Sequence, residues 1–278
     1  MAVKDKRATA DKELGLYNIN PWEASGLGEE VEQYFQHGIT LEPGATVIDL
    51  GANIGVFSAH VHRMLNGDMR GFACEPLPPI YATLEKNARE RLGGKVTALP
   101  YGVSSRDEEL EFNYFPKFTV LSSMYRGNRS LAEEKEYMTT VVTDFIKGGH
   151  GGRPLIRRLP RFVIRWGVDF RMRALGNMQK HRVRVRPLSD IIDEHDIDRI
   201  DLLKIDVEGA ETEVLRGIEE RHWPLIRQAV LEVEGWAANH AIVEEFFTSH
   251  GFKVIAEEAP VESADIGMVF AFAQSPAA

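Results

Sequence analysis

Val47-Ile-Asp49-Leu-Gly51-Ala-Asn53-Ile-Gly55 is the stretch on which the fold turns. Thr46-Val-Ile-Asp-Leu50 is short, apolar and β-branched, as a buried strand should be, and Gly51 opens a tight turn. Residues 54–65 follow with helical spacing, so strand, glycine turn and helix come in order. The glycines admit a ligand close to the main chain, and the helix start behind them offers unpaired N–H groups and the positive end of a dipole. The same glycines also suit a simple chain reversal, so the loop needs support from elsewhere. A hydride-transfer dinucleotide fold prefers G-x-G-x-x-G. This loop is G-x-x-x-G with an acid inside the strand, which favours S-adenosylmethionine over NAD.

Working outward, the strand–helix unit repeats. Residues 70–75 read as a strand, Pro78 to Arg91 as a helix with proline in its first turn, and Lys95 to Leu99 as a third strand, with Gly102 just beyond it as a further cofactor contact. Farther along, Ile200 to Asp206 is a strand, Gly209 to Ile218 a helix and Gln228 to Glu234 a strand. Val243 to His250 is then helical, and Phe252 to Glu257 and Gly267 to Phe272 close the sheet. This alternation predicts an α/β fold, Rossmann-like and doubly wound, with a mostly parallel sheet. The pattern breaks between residues 109 and 186, read as an insertion between the third and fourth core strands. It contains an alternating strand-like run at its start, a helical stretch from Ser130 to Phe145 and an amphipathic stretch from Pro160 to Met178. Residues 1–40, with helical character from Gly28 to Gln36, read as an N-terminal helical lid ahead of a domain spanning 41–278.

The charged motifs fall where ligands sit in such a sheet, at the carboxyl ends of the strands. Glu75 lies 24 residues after Gly51, beside Pro76, placed to accept hydrogen bonds from both hydroxyls of a ribose. Asp201-Leu-Leu-Lys204-Ile-Asp206-Val-Glu208-Gly209-Ala-Glu211 brackets a buried strand with charges, an expensive arrangement unless they face a cleft or pair with one another. Val230-Leu-Glu232-Val-Glu234-Gly-Trp236 ends the next strand with acids at alternate positions, and His240 follows closely.

Together, Asp49-Leu-Gly-Ala-Asn-Ile-Gly-Val-Phe-Ser58, Cys74-Glu-Pro76, Lys204-Ile-Asp-Val-Glu-Gly-Ala-Glu211, Leu215-Arg-Gly217 and Glu232 resemble the FkbM family of methyltransferases. His37-Gly-Ile and Phe115-Pro-Lys-Phe-Thr-Val-Leu-Ser-Ser-Met124 resemble its members from polyketide and peptide natural-product pathways. The likeness spans roughly residues 30–235. It implies a seven-stranded sheet and O-methylation from S-adenosylmethionine, with a natural-product, carrier-tethered or sugar hydroxyl as acceptor. The donor site then comprises Asp49, Gly51, Asn53, Gly55, Glu75, Pro76, Gly102 and Asp206. A hydroxyl must lose its proton during transfer, and the candidates to take it are Asp206, Glu232 and His240. Many relatives have histidine where this chain has Glu234, two residues beyond Glu232, which leaves the base open among these three. Asp206 and Glu232, as oxygen ligands on neighbouring strand ends, also suit Mg²⁺.

Composition narrows the alternatives. Of 278 residues, 44% are hydrophobic and 27% charged, the balance of a folded water-soluble protein, and residues 1–12 carry no apolar stretch of a signal or span; both readings point to the cytoplasm. The lone cysteine, Cys74, sits in an apolar run and reads as buried and inert. The net charge of −9 is uneven: residues 147–186 hold twelve Lys or Arg against one acid, Asp169. That cationic segment is expected either to cap the domain or to dock an acidic carrier protein, its phosphopantetheine arm or an anionic membrane. An RNA methyltransferase also needs basic residues, but the acidic body and the lack of an Asn/Asp-Pro-Pro-Tyr motif oppose it. A non-catalytic binding scaffold is the second rival, which the dense acidic strand ends oppose.

Overall fold

The computed structural model describes residues 15–19, 31–114, 116, 139, 160, 162–167, 179–259 and 265–274. Along these the strands are β1 (Ala45–Leu50), β2 (Met69–Cys74), β3 (Val96–Leu99), β4 (Gly102–Val103), β5 (Glu108–Tyr114), β6 (Gln179–Arg186), β7 (Leu202–Ile205), β8 (Gln228–Glu234), β9 (Phe252–Glu258) and β10 (Ile266–Ala273). The helices are α1 (Val56–Met64), α2 (Pro78–Glu90), α3 (Leu188–Glu194), α4 (Glu211–Arg216) and α5 (Trp236–Ser249).

Seven strands form the main sheet in the order β3-β2-β1-β7-β8-β10-β9. The first five are parallel, while β10 runs antiparallel to both its neighbours. β1 and β7 are mostly apolar because helices cover both sides of the sheet; Ile48, Leu50, Leu202, Leu203 and Ile205 expose nothing, and the buried exceptions are Asp49 and Lys204. The chain winds outward from β1 to β2 and β3, then crosses back to β7 and continues to β8. The strand order therefore reverses between β1 and β7, which opens a crevice at their carboxyl ends.

A second, three-stranded sheet, ordered β4-β6-β5, stands beside this crevice. It gathers the two ends of the expected insertion and also takes in Gly102 and Val103, ahead of it. The inward faces of β5 and β6 bury Val183, Val185 and Tyr114. Their outward faces form a cross-strand ladder: Lys180 Nζ to Glu111 at 2.5 Å, Arg182 to Glu109 at 4.0 Å and Arg184 to Asp107 at 2.5 Å. Arg186 meets Glu194 of α3 at 2.5 Å.

Several elements differ from expectation. The fifth helix begins at Trp236, seven residues before the predicted Val243, because Gly235 adopts a left-handed φ of 63° and starts it directly from β8. Its Trp236 ring lies over Gly267, where a Cβ would come within 2.2 Å of it. α3 and β6 carry no strong periodic signal and were not foreseen; β6 alternates cation with apolar residue inside a basic run. Within the expected N-terminal lid the described helical element is a 3₁₀ turn, Val31–Phe35. The predicted helix over 130–145 and most of the amphipathic stretch lie outside the described residues, although 162–167 are helical. Among the described residues no helix is long and apolar enough to cross a membrane.

Candidate active site

The crevice between β1 and β7 holds a buried lysine. Lys204, 3% exposed, places Nζ 3.2 Å from Asp49 Oδ1 and 3.2 Å from Asp206 Oδ2, and donates to the carbonyls of Leu50 (3.3 Å) and Gly51 (3.1 Å). Burial acts to lower its pKa, but Asp206 and Asp49 outweigh that and hold it above the ordinary lysine range. Asp49 is itself buried and accepts from Ser58 Oγ at 2.7 Å. The strand alternation that puts Lys204 and Asp206 on one face thus has a structural purpose: the ion triad ties the end of β7 to the end of β1.

Gly51 follows at φ 73°, and a Cβ there would sit 1.7 Å from the Asp206 carbonyl oxygen, so the two strand ends approach as only glycine allows. Asn53 has a positive φ of 49°, and Gly55, at φ 89°, caps α1 without any side-chain hydrogen bond to its first N–H groups. Asn53 Oδ1 is buried with no hydrogen-bond partner among the described residues. At the end of β2, Glu75 is 6% exposed and accepts from Leu77 N at 2.9 Å. Burial pushes its pKa up to about 7, against the N–H groups of Leu77 and Asn53 and the charge of Lys204, with Asp49 adding to the rise.

These groups wall a cavity of about 390 Å³, within the range of small-molecule sites. Glu75, Lys204, Asp206, Glu208 and Glu232 supply its charged wall. Val103, Phe112 and Val185 of the second sheet form an apolar side. The 3₁₀ turn closes the rest with Val31, Gln33 and Tyr34. Tyr34 donates its hydroxyl to Asp206 Oδ2 at 3.1 Å, and its ring meets Phe57 edge-on at 5.6 Å. The turn thus locks onto the carboxylate that also holds Lys204.

Of the residues singled out from sequence, Gly51, Asn53, Glu75, Pro76, Gly102, Asp206 and Glu232 line this one cavity. Asp49 and Gly55 stand behind it: the first pairs with Lys204 and Ser58, and a Cβ on the second would meet Leu84 Cδ1 at 2.9 Å. His240 does not line the cavity. Its ring stacks on Trp236 at 4.9 Å, and its Nδ1 lies 2.6 Å from the Trp236 carbonyl oxygen, so a place on the early turns of α5 carries it away from the strand ends. Sequence reasoning missed Tyr34, whose site role depends on a contact with Asp206 across 172 residues. It named Lys204 and Glu208 only among the charges bracketing the strand, without a site role; both line the cavity, Glu208 at a left-handed φ of 59° that no motif advertises.

An adenine nucleoside carrying a positive sulfonium suits this donor set: a carboxyl at the end of β2 for the ribose, the vacant Asn53 acceptor, and acids outnumbering the single lysine. A divalent ion held by Asp206 and Glu232 would have to share Asp206, whose Oδ2 already serves Lys204 and Tyr34, and among the described residues no three His, Cys, Asp or Glu side chains gather into a metal-binding group.

The model of the methyltransferase FkbM domain matches residues 49–254. The chain is 33% identical over 249 residues, 88% of its length and 87% of the other, to 31-O-demethyl-FK506 methyltransferase FkbM of Streptomyces tacrolimicus. It is 30% identical to methyltransferase sdnD of Sordaria araneosa, covering 88% of each chain. A further match, 34% identical over 84% of this chain, is to AMB antimetabolite synthetase AmbE of Pseudomonas aeruginosa, of which it covers 11%.

Proposed function

The chain belongs to the FkbM methyltransferase domain family, and from that premise we propose that it transfers a methyl group from S-adenosylmethionine to a hydroxyl of a natural product or sugar. The observation that carries this reading is the convergence of the ends of β1, β2 and β7 on one cavity whose wall presents Gly51, Glu75 and Asp206. When bound, the donor supplies an electrophilic methyl on a positively charged sulfur. The chain's own residues do the rest. Glu75 accepts from the ribose hydroxyls, the Gly51 turn admits the donor to the backbone, and the acidic wall favours the cationic sulfur. The 3₁₀ turn and the apolar side formed by β5 and β6 exclude water, leaving donor and hydroxyl to be held in line.

Proton removal falls to Glu232. His240 is turned onto Trp236, whereas Glu232 and Asp206 both line the cavity; Asp206 has the structural duty of anchoring Lys204 and Tyr34, which sets it aside from proton transfer. The cationic segment 147–186 is proposed to receive an acidic carrier protein that presents the acceptor. The test is calorimetry with S-adenosylmethionine and S-adenosylhomocysteine, followed by a donor-consumption screen over free and carrier-tethered hydroxylated acceptors, with and without Mg²⁺. Binding followed by acceptor-dependent turnover supports the reading. Failure of both nucleosides to bind overturns it, and binding without turnover on any hydroxyl points to a scaffold instead.

A further inference from the structure

Glu211 has no part in the chemistry above, yet it is 1% exposed and directly follows Ala210, a residue of the cavity wall. Between the end of β7 and the start of α4 the chain makes two successive left-handed residues, Glu208 at φ 59° and Gly209 at φ 98°. The second is free for glycine, but the first is a strained backbone for a residue with a side chain and persists only where its surroundings enforce it. One contact that holds the turn is Glu211 Oε1, which accepts the N–H of Gly209 at 2.8 Å. Val207, Glu208 and Ala210 all line the cavity, so this turn decides what the wall presents after Asp206.

We propose that Glu211 is a positioning residue: by holding the Glu208–Gly209 turn it keeps Glu208 on the cavity wall, where that carboxylate favours a cationic ligand over a neutral one. This rests on the donor-binding reading and deepens it, because methyl transfer converts a sulfonium into a neutral thioether. A wall that favours the cation holds the donor and lets the product go. Burial, opposed by the N–H groups of Gly209 and of Glu211 itself, with Glu234 and Asp206 nearby, pushes the Glu211 pKa up to about 8. At neutral pH it is therefore mostly uncharged, and removing it changes the charge preference of the cavity through Glu208.

The test needs no acceptor. Calorimetry at pH 7 compares sinefungin, which carries an ammonium where the donor has its methylsulfonium, with S-adenosylhomocysteine, neutral at that position. The sinefungin-to-S-adenosylhomocysteine affinity ratio should fall about tenfold in Glu208→Gln, the effect of removing one carboxylate from a shared low-dielectric cavity. The same fall is expected in Glu211→Ala, with no further fall in the double variant and a return to the native ratio in Glu211→Gln, whose amide oxygen still accepts from Gly209. A merely structural Glu211 would lower the melting temperature and leave the ratio alone. If Glu211→Ala does not fold, Glu211→Asp, one methylene short of the Gly209 N–H, replaces it with the same expected fall. A native ratio in Glu208→Gln, or in the Glu211 variant that folds, overturns the proposal. Absence of binding of either nucleoside by the native chain overturns the donor reading and this inference with it.

Discussion

Donor affinity should rise with pH, and Glu75 makes that rise measurable. Its carboxyl has a pKa near 7 because burial opposes its charge. Two ribose hydroxyls can only donate to it fully once it is ionised, so binding selects the ionised form and releases a proton. With a pKa of about 7, roughly one molecule in eleven is ionised at pH 6 and about ten in eleven at pH 8, so apparent affinity rises about tenfold, or ~1.4 kcal/mol. The stability of the ligand-free protein runs the other way. An acid raised above its unfolded value of 4.5 contributes full stability below pH 4.5 and loses it as pH rises through 7. Glu211 adds a loss of the same sign extending to about pH 8, whereas His60, lowered mainly by burial, opposes both at the acidic end. Melting curves therefore mix several groups, and the decisive assay is calorimetry of S-adenosylhomocysteine at pH 6, 7 and 8, in buffers whose ionisation heats report the released proton. Glu75→Gln should bind more weakly at pH 8 and lose the slope. A flat native profile, or the same slope surviving in Glu75→Gln, would refute the assignment of Glu75 to the ribose.

Other perturbations reach other parts of the site. Gly51→Ala sets a Cβ 1.7 Å from the Asp206 carbonyl at a φ of 73°, and should abolish donor binding and lower the melting temperature; an unaffected binding isotherm would show that the strand ends can part without harm. Lys204→Met leaves buried Asp49 and partly buried Asp206 without their cation, a loss of roughly 3–5 kcal/mol that circular dichroism melts should detect, with partial recovery in Asp49→Asn/Lys204→Met. Tyr34→Phe should fold normally and lower turnover by about tenfold, the weight of one hydrogen bond to a charged group; full native turnover would mean the hydroxyl is idle. A chelator should leave turnover unchanged, and a loss restored by Mg²⁺ would place a metal at the acids despite their partners.

The parallel half of the fold was legible because each strand there is a short apolar run punctuated by glycine or proline, and the acids at strand ends stood out against it. Glu75, Asp206 and Glu232 could be placed at one crevice from sequence, since topology alone brings the carboxyl ends of parallel strands together. His240 could not. Proximity along the chain to Glu232 suggested proximity in space, but Gly235 starts α5 at once and the helix takes the imidazole onto Trp236. Tyr34 was invisible for the converse reason: an aromatic in a polar stretch signals nothing until its hydroxyl meets a carboxylate far away in sequence.

The basic segment shows most clearly why a charge count is not a surface. Read along the chain, residues 147–186 carry twelve cations and one acid, which implies free positive charge. In the fold, Lys180, Arg182 and Arg184 each face an acid of the β5 region about 70 residues earlier, and Arg186 faces Glu194. Antiparallel pairing of β5 with β6 brings an alternating acidic strand opposite an alternating basic one, so three of the twelve cations serve to register a small sheet against the cavity, and Arg186 ties it to α3. Exposed pairs of this kind contribute little stability individually but oppose a slipped register, which would turn Val183 and Val185 outward and Phe112 off the cavity wall. The proposed docking of a carrier is therefore to be tested on cations outside this ladder. Charge reversal at Arg157 and Arg158 should weaken carrier-dependent turnover and leave free-acceptor turnover intact, whereas reversal at Arg182 and Arg184 should impair both by disturbing the wall itself. Equal effects of the two pairs on carrier-dependent turnover alone would mean that the ladder cations, not the rest of the segment, receive the partner.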